Sequence, residues 1–211
     1  MTDLTLLKNA IVAGKLPDAK ALVSEALEAG MAPQDIIDNY LVKGMEEIGQ
    51  KFEAGQAFVP NLLLAARAMK GCLDVLTPLM QEGASTALGT VVIGTVKGDL
   101  HDIGKNLVAS MLEGCGFKVV NLGTDVSSEK FIAAVKENNA DVVCLSALLT
   151  TTMSYMKEII DAFVAEGLRD KVKIMVGGAP LNSGFAEKIG ADGYSYNANE
   201  AVSLAKSLLG I

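Results

Sequence analysis

Apolar positions recur every three or four residues through the first part of the chain. Ile37, Leu41, Met45, Ile48 and Phe52 step by four and three, which places them on one face of a helix. Pro33 can open that helix, and Gly55 lies just past its end. The same reading gives three more helices. Asp3 can cap a first one, Leu4 to Val12, that ends at Gly14. Pro17 opens a second, with Leu22, Val23, Ala26 and Leu27 on one face and Gly30 as its stop. Pro60 opens a fourth, with Leu63, Ala66, Met69 and Leu73 in step along one side. Four helices with short connections predict an antiparallel bundle. The small polar stretch EGASTALG (82–89) then reads as a linker.

From Thr90 the pattern changes to short apolar runs separated by helical ones. The runs are Thr90–Gly94, Lys118–Leu122, Val142–Ala147, Lys173–Val176 and Gly193–Ser195. The helices between and after them fit Ile103–Glu113, Ser128–Asn138, Ser154–Glu166, Phe185–Ile189 and Glu200–Leu209. Five strands alternating with helices predict an α/β domain with a doubly wound parallel sheet. The expected division is residues 1–85 for a helical domain and 86–211 for the sheet domain. Such sheets bind ligands beyond the carboxyl ends of their strands. The loops after strands one, three, four and five are therefore where chemistry is sought.

Composition narrows the options. The 211 residues are half apolar, with no Trp, so the cores must be built from Ala, Val, Ile, Leu and Met. The net charge of −7, with no basic run, disfavours nucleic acid, whose phosphates need clustered cations. Cys72, Cys115 and Cys144 lie far apart in apolar settings, without zinc-type spacing, and read as reduced core thiols. MTDLTLLKNA has no apolar signal core, and no apolar stretch is long enough to cross a bilayer. A cytoplasmic protein that avoids membranes is expected.

Three strand-end loops carry the candidate chemistry. After the first strand comes Gly94-Thr-Val-Lys-Gly98-Asp99-Leu100-His101-Asp102-Ile-Gly104, which holds the one histidine of the chain. A metal-bound imidazole needs its second nitrogen held, usually by a carboxylate, and Asp99 serves if the loop folds back. The glycines at 94, 98 and 104 allow close approach and unusual dihedrals. After the third strand, Ser146, Thr150, Thr151 and Thr152 offer hydroxyls to a polar ligand or to a helix cap. After the fourth, Gly177-Gly178 leaves room beside the backbone or simply makes a turn. Each loop alone has an ordinary explanation. Their joint spacing is specific: Asp99-x-His101-x-x-Gly104, 41 residues, Ser146-x-Leu148, 28 residues, Gly177-Gly178.

That spacing resembles the B12-binding signature DxHxxG…SxL…GG. The segment from Gly44-Met45-Glu46-Glu47-Ile48-Gly49 to Ala68-Met69-Lys70 likewise resembles the helical cap of corrinoid methyltransferases. The chain is thus similar to the methyltransferase corrinoid proteins, and to the B12-binding region of cobalamin-dependent methionine synthase. The resemblance implies a four-helix cap followed by a Rossmann- or flavodoxin-like cobalamin domain. It implies that His101 is the lower axial ligand of cobalt, that Asp99 accepts the other ring N–H, and that Thr152 extends the relay. Gly98, Leu100, Asp102 and Gly104 become contacts of the corrinoid on the same loop. Ser146, Leu148 and Thr150 become contacts of its nucleotide tail, Gly177 and Gly178 make room for that tail, and Ala198 touches it near the fifth strand. Glu47 becomes a cap contact to the corrin edge, with Asn61, Leu62, Ala65 and Met69 as candidates for covering the upper face.

The implied cofactor is cobalamin or a related corrinoid, in its methylcobalamin form during turnover. The implied function is a methyl carrier. A substrate:corrinoid methyltransferase loads the methyl group onto Co(I), and a corrinoid:acceptor methyltransferase passes it to tetrahydrofolate or coenzyme M. A reductive activase is a third partner. Cap and sheet account for all 211 residues, so a methyl-carrying subunit is expected rather than an enzyme acting alone. Two alternatives share the cofactor: a B12-based sensor, which usually adds a DNA-binding region, and the B12 subunit of a carbon-skeleton mutase, which lacks the helical cap. A phospho-acceptor domain of flavodoxin-like topology would want an aspartate where this chain has Ser146.

Overall fold

The computed structural model describes residues 5–80 and 87–211. The chain forms two compact units, Met1–Thr86 with Glu113–Gly116, and Ala87–Leu112 with Phe117–Ile211. Asp3, Leu4 and most of the expected linker, residues 82–86, lie outside the described residues.

The first unit is helical. Its elements are α1 (Thr5–Val12), α2 (Leu16–Glu28), α3 (Pro33–Ile36), α4 (Val42–Glu53) and α5 (Val59–Leu76). A π-helical turn, Ile37–Leu41, joins α3 to α4, so the helix opened by Pro33 is continuous but locally widened and underwound there. α1 packs on α2, α4 and α5, and α2 and α4 each pack on α5. The buried face of α5 runs through Leu62, Ala65, Ala66, Met69, Cys72 and Leu76. Of the expected stripe, Ala66 and Met69 are buried and Leu73 is half-buried, but Leu63 is exposed and its neighbour Leu62 faces inward instead. An unbroken run of apolar residues at 62–66 cannot reveal by itself which of them faces inward. Asn61 is used locally: its Oδ1 accepts the Phe58 N–H at 2.9 Å and closes the start of α5.

The second unit holds β1 (Thr90–Thr95), α6 (Ile103–Gly114), β2 (Lys118–Asn121), α7 (Ser128–Asn138), β3 (Val142–Ser146), α8 (Ser154–Ala165), β4 (Lys173–Gly177), α9 (Ser183–Ile189), β5 (Gly193–Ser195) and α10 (Ala198–Leu209). All strand pairs are parallel, in the order β2-β1-β3-β4-β5. This is the doubly wound, flavodoxin-like arrangement. Alternation decides what each strand residue buries. Val92, Val143, Leu145, Ile174 and Val176 join Phe131, Met156, Ile160 and Phe163 of α7 and α8 in one core. Val91, Ile93, Cys144 and Met175, of opposite parity and also buried, serve the other face. All three cysteines are buried, and burial pushes Cys72 and Cys144 up to about 12.

The order reverses between β1 and β3. With right-handed crossovers, the chain leaves β1 toward one face of the sheet and leaves β3 toward the other. A crevice opens between those two strand ends. The histidine loop and the serine–threonine loop flank it.

Among the described residues, no helix is long and apolar enough to cross a membrane.

Candidate functional site

The histidine loop folds back on Asp99, whose side chain has no exposed surface. Oδ1 accepts the His101 backbone N–H at 3.0 Å and lies 2.7 Å from His101 Nδ1. Oδ2 accepts the backbone N–H groups of Leu148 at 2.8 Å and Leu149 at 3.2 Å, from across the crevice. Thr152 Oγ1 is 2.8 Å from Oδ2 and 2.9 Å from the Leu149 carbonyl, so its single proton serves one of them at a time. Burial by itself pushes the Asp99 carboxyl up. The donors from Leu148, His101 and Thr152 outweigh it and hold the group well below the usual carboxylate range. Asp99 is therefore an ionised, acceptor-only group. A neutral ring facing it carries its proton on Nδ1, which leaves the Nε2 lone pair directed away. The imidazole is half exposed.

Further contacts fix the loop backbone. Buried Thr95 donates through Oγ1 to the His101 carbonyl at 2.8 Å. Gly98 has a left-handed φ of 81°. Lys105, on the first turn of α6, is also buried, and donates to Asn106 Oδ1 at 2.6 Å and Asn121 Oδ1 at 2.7 Å. Burial lowers its pKa, while the charge of Asp102 opposes that shift. Asp102 accepts from Asn106 Nδ2 at 2.9 Å.

Two family models match. Residues 89–203 fit a B12 binding domain, and residues 4–77 fit a second family with the same description. A dimethylamine corrinoid protein from Methanosarcina barkeri is 48% identical over 96% of this chain and 95% of its own. A trimethylamine corrinoid protein 2 from Methanosarcina mazei is 47% identical over 96% of this chain and 94% of its own. Among solved structures, a chain of the methanol:cobalamin methyltransferase complex MtaBC from Methanosarcina barkeri superposes with a TM-score of 0.84 at 33% identity, covering 99% of this chain and 80% of that one. The chain belongs to the methyltransferase corrinoid proteins.

Its cofactor is a corrinoid, and it acts as a corrinoid methyl carrier within a methyltransferase system. The residues present fit such a group. A lone imidazole offers a metal one bond, which suits an ion whose other ligands arrive with a macrocycle. Several apolar side chains on the two loops around His101 are exposed. Leu100 and Ile103 are 74% and 87% exposed, and Leu148 and Leu149 also reach solvent. Clustered exposed apolar side chains mark a surface built to be covered.

The other predicted residues divide into three groups. Ser146 ends β3, and Leu148, Thr150 and Thr152 lie on the β3–α8 connection that follows it, with Leu148 and Thr152 bonded to Asp99. The hydroxyls are not helix caps, because α8 is preceded by Met153 with no side-chain cap. Gly177, Gly178 and Ala198 sit at the β4 and β5 ends of the same sheet, with Ala198 buried at the start of α10. Glu47 belongs to the helical unit. Lys51 and Lys8 hold its two oxygens at 2.7 and 2.8 Å and keep its pKa low.

The glycines differ from expectation. Of Gly94, Gly98 and Gly104, only Gly98 has a positive φ. A Cβ on Gly94 would strike the Phe131 ring at 2.7 Å, so that glycine serves core packing. A Cβ on Gly104 would meet nothing within 4 Å. Gly178 has φ 141°, and a Cβ there would fall 1.9 Å from the Ala147 carbonyl oxygen.

Sequence reasoning missed Leu149, Ile103, Thr95 and the whole β2–α7 connection. Leu149 acts through its backbone, which has no residue signature. Thr95, which the sequence reading assigns to the loop, is the buried last residue of β1.

Proposed function

We propose that His101 is the lower axial ligand of the corrinoid metal, held by Asp99 and Thr152. We further propose that the chain takes its methyl group from an amine methyltransferase and yields it to a second methyltransferase serving tetrahydrofolate or coenzyme M. The single observation that carries the ligand assignment is the fully buried Asp99 carboxylate. It accepts from His101 Nδ1 and leaves Nε2 pointing out at the strand-order reversal. The metal, when bound, supplies the chemistry of accepting and releasing a methyl group. The protein's residues do the rest. Asp99 fixes the tautomer and orientation of the ring and raises its donor strength. Thr152 sets how much negative charge Asp99 presents to the ring by turning its proton toward or away from Oδ2. The apolar rim of Leu100, Ile103, Leu148 and Leu149 excludes water from the lower face. Ser146 and Thr150 offer polar groups to the tail, and Gly177 and Gly178 bound its path. Residues 1–85 form the cap domain and 86–211 the cofactor domain, with Glu47 as a cap contact. A reductive activase restores the metal after accidental oxidation.

An amine donor is favoured over methanol by the relatives. Two proteins named for methylamines are 47–48% identical, against 33% for the protein of the methanol complex. Dimethylamine and trimethylamine proteins lie at nearly the same identity, so the proposal is made for the methylamine class.

The experiment loads the full chain and its His101→Ala variant with hydroxocobalamin. After chemical reduction to cobalt(II), the wild type is expected to show nitrogen splitting in its electron paramagnetic resonance spectrum that changes from three lines to two when the protein's histidine carries nitrogen-15. The variant is expected to lose that splitting. A wild type that takes up no corrinoid, or a variant with an unaltered spectrum, overturns the assignment. For the donor, the loaded and reduced protein is mixed with each methylamine and its methyltransferase. Failure of every methylamine alongside success with methanol rejects the amine class.

A further inference from the structure

The loop after β2 was not among the places where chemistry was expected, yet it clasps the histidine loop. Asp125 Oδ1 accepts the Gly98 N–H at 2.8 Å, and the Asp125 N–H donates to the Asp99 carbonyl at 3.0 Å. Two consecutive residues just before His101 are thus gripped by one aspartate. Its backbone has φ 53°, a left-handed conformation seen in only one other described non-glycine residue, Asn139. Asn139 follows α7 as an ordinary left-handed helix stop. Asp125 ends no helix, so its conformation must be held by its contacts. Flanking bonds supply the hold: Thr95 N–H to the Gly123 carbonyl and Val126 N–H to the Thr95 carbonyl, both at 3.0 Å. Thr95 is also the residue that anchors the His101 carbonyl. Among the described residues, the N–H of Gly98, which has its own positive φ, is bonded only by this side chain.

We propose that Asp125 is a positioning residue for the axial imidazole, setting through Gly98 and Asp99 where the His101 ring starts and so how closely it approaches the metal. This rests on His101 being the axial ligand. Asp99 orients the ring about its own bonds, but its carboxylate can aim the ring correctly only if its backbone is fixed. Asp125 fixes that backbone from the side opposite the Leu148–Leu149 amides.

The test uses the full chain loaded with hydroxocobalamin and reduced to cobalt(II). Asp125→Gly keeps the left-handed backbone and deletes the acceptor for Gly98. Asp125→Asn keeps an acceptor oxygen. In the glycine variant, the ratio of imidazole-ligated to unligated cobalt(II), read from nitrogen splitting, is expected to fall about tenfold, in line with the loss of an outer support at a metal site. The reduction midpoint should shift with it, and the asparagine variant should restore both. A glycine variant with wild-type ligation and midpoint overturns the proposal, even if its melting temperature drops, because a purely structural clasp would act on stability alone. Should the glycine variant not fold, Asp125→Ser decides, and an unchanged ratio in that variant overturns the proposal. If the wild type shows no nitrogen splitting, the axial-ligand assignment fails first. If the wild type shows it and the variants match, only the role of Asp125 fails.

Discussion

At the scale of the residue, the chemistry gathers on one carboxylate. Asp99 faces five hydrogen-bonding groups of four residues on two loops while having no contact with water. Such a group links folding to pH. Its pKa in the folded chain lies below the unfolded value. Its stabilising contribution is therefore complete above the unfolded pKa and is lost as pH falls toward the folded one. For an aspartate that window opens near about pH 4 and extends downward. The apo protein should lose stability on acidification from pH 5 to pH 3. Asp99→Asn, which cannot bind that proton, should show a shallower decline. Denaturant midpoints measured at several pH values check this, and parallel declines would mean other carboxylates dominate.

At the scale of the element, two glycines that look alike in sequence have opposite reasons. Gly178 is required by the protein, because β4 approaches the end of β3 until no Cβ fits beside the Ala147 carbonyl. Gly178→Ala should destabilise the apo protein by about 1–3 kcal/mol, the usual penalty of overpacking. Gly104 lies in the first turn of α6 with open space beyond its missing side chain. Gly104→Ala should leave the apo protein unchanged or stabilise it by up to about 1 kcal/mol, since alanine favours helix. The same variant should bind hydroxocobalamin more weakly if the corrinoid occupies that space. Thermal melts without cofactor and titrations with it separate the two effects. Equal destabilisation in both variants would contradict the geometry.

At the scale of the whole molecule, each unit carries its own core. The cluster centred on Phe131 and Phe163 draws only on residues between Val92 and Ile189. The helical unit buries Leu7, Ile11, Ile36, Leu41, Leu62 and Leu76. A fragment spanning 86–211 should therefore fold by itself and melt cooperatively. Circular dichroism and a denaturant titration test this, and a non-cooperative transition would show that the proposed division does not mark an independent folding unit.

Much of this architecture is local in origin and was legible in the chain. Periods of 3.6 and 2 fix helix and strand wherever apolar side chains must share a face, so Ser128–Asn138 and Gly193–Ser195 have the predicted bounds. The spacing of His101, Ser146 and Gly177 carried the resemblance to the B12-binding signature, and the parallel sheet brings those strand ends to one edge. What the sequence could not decide depends on backbone atoms and on partners distant along the chain. The amides of Leu148 and Leu149 on Asp99, the reach of Asp125 across 27 residues to Gly98, and the burial of Lys105 against Asn121 are of this kind. A backbone N–H is the same in every residue but proline, so only the folded chain can choose which of them will surround a carboxylate.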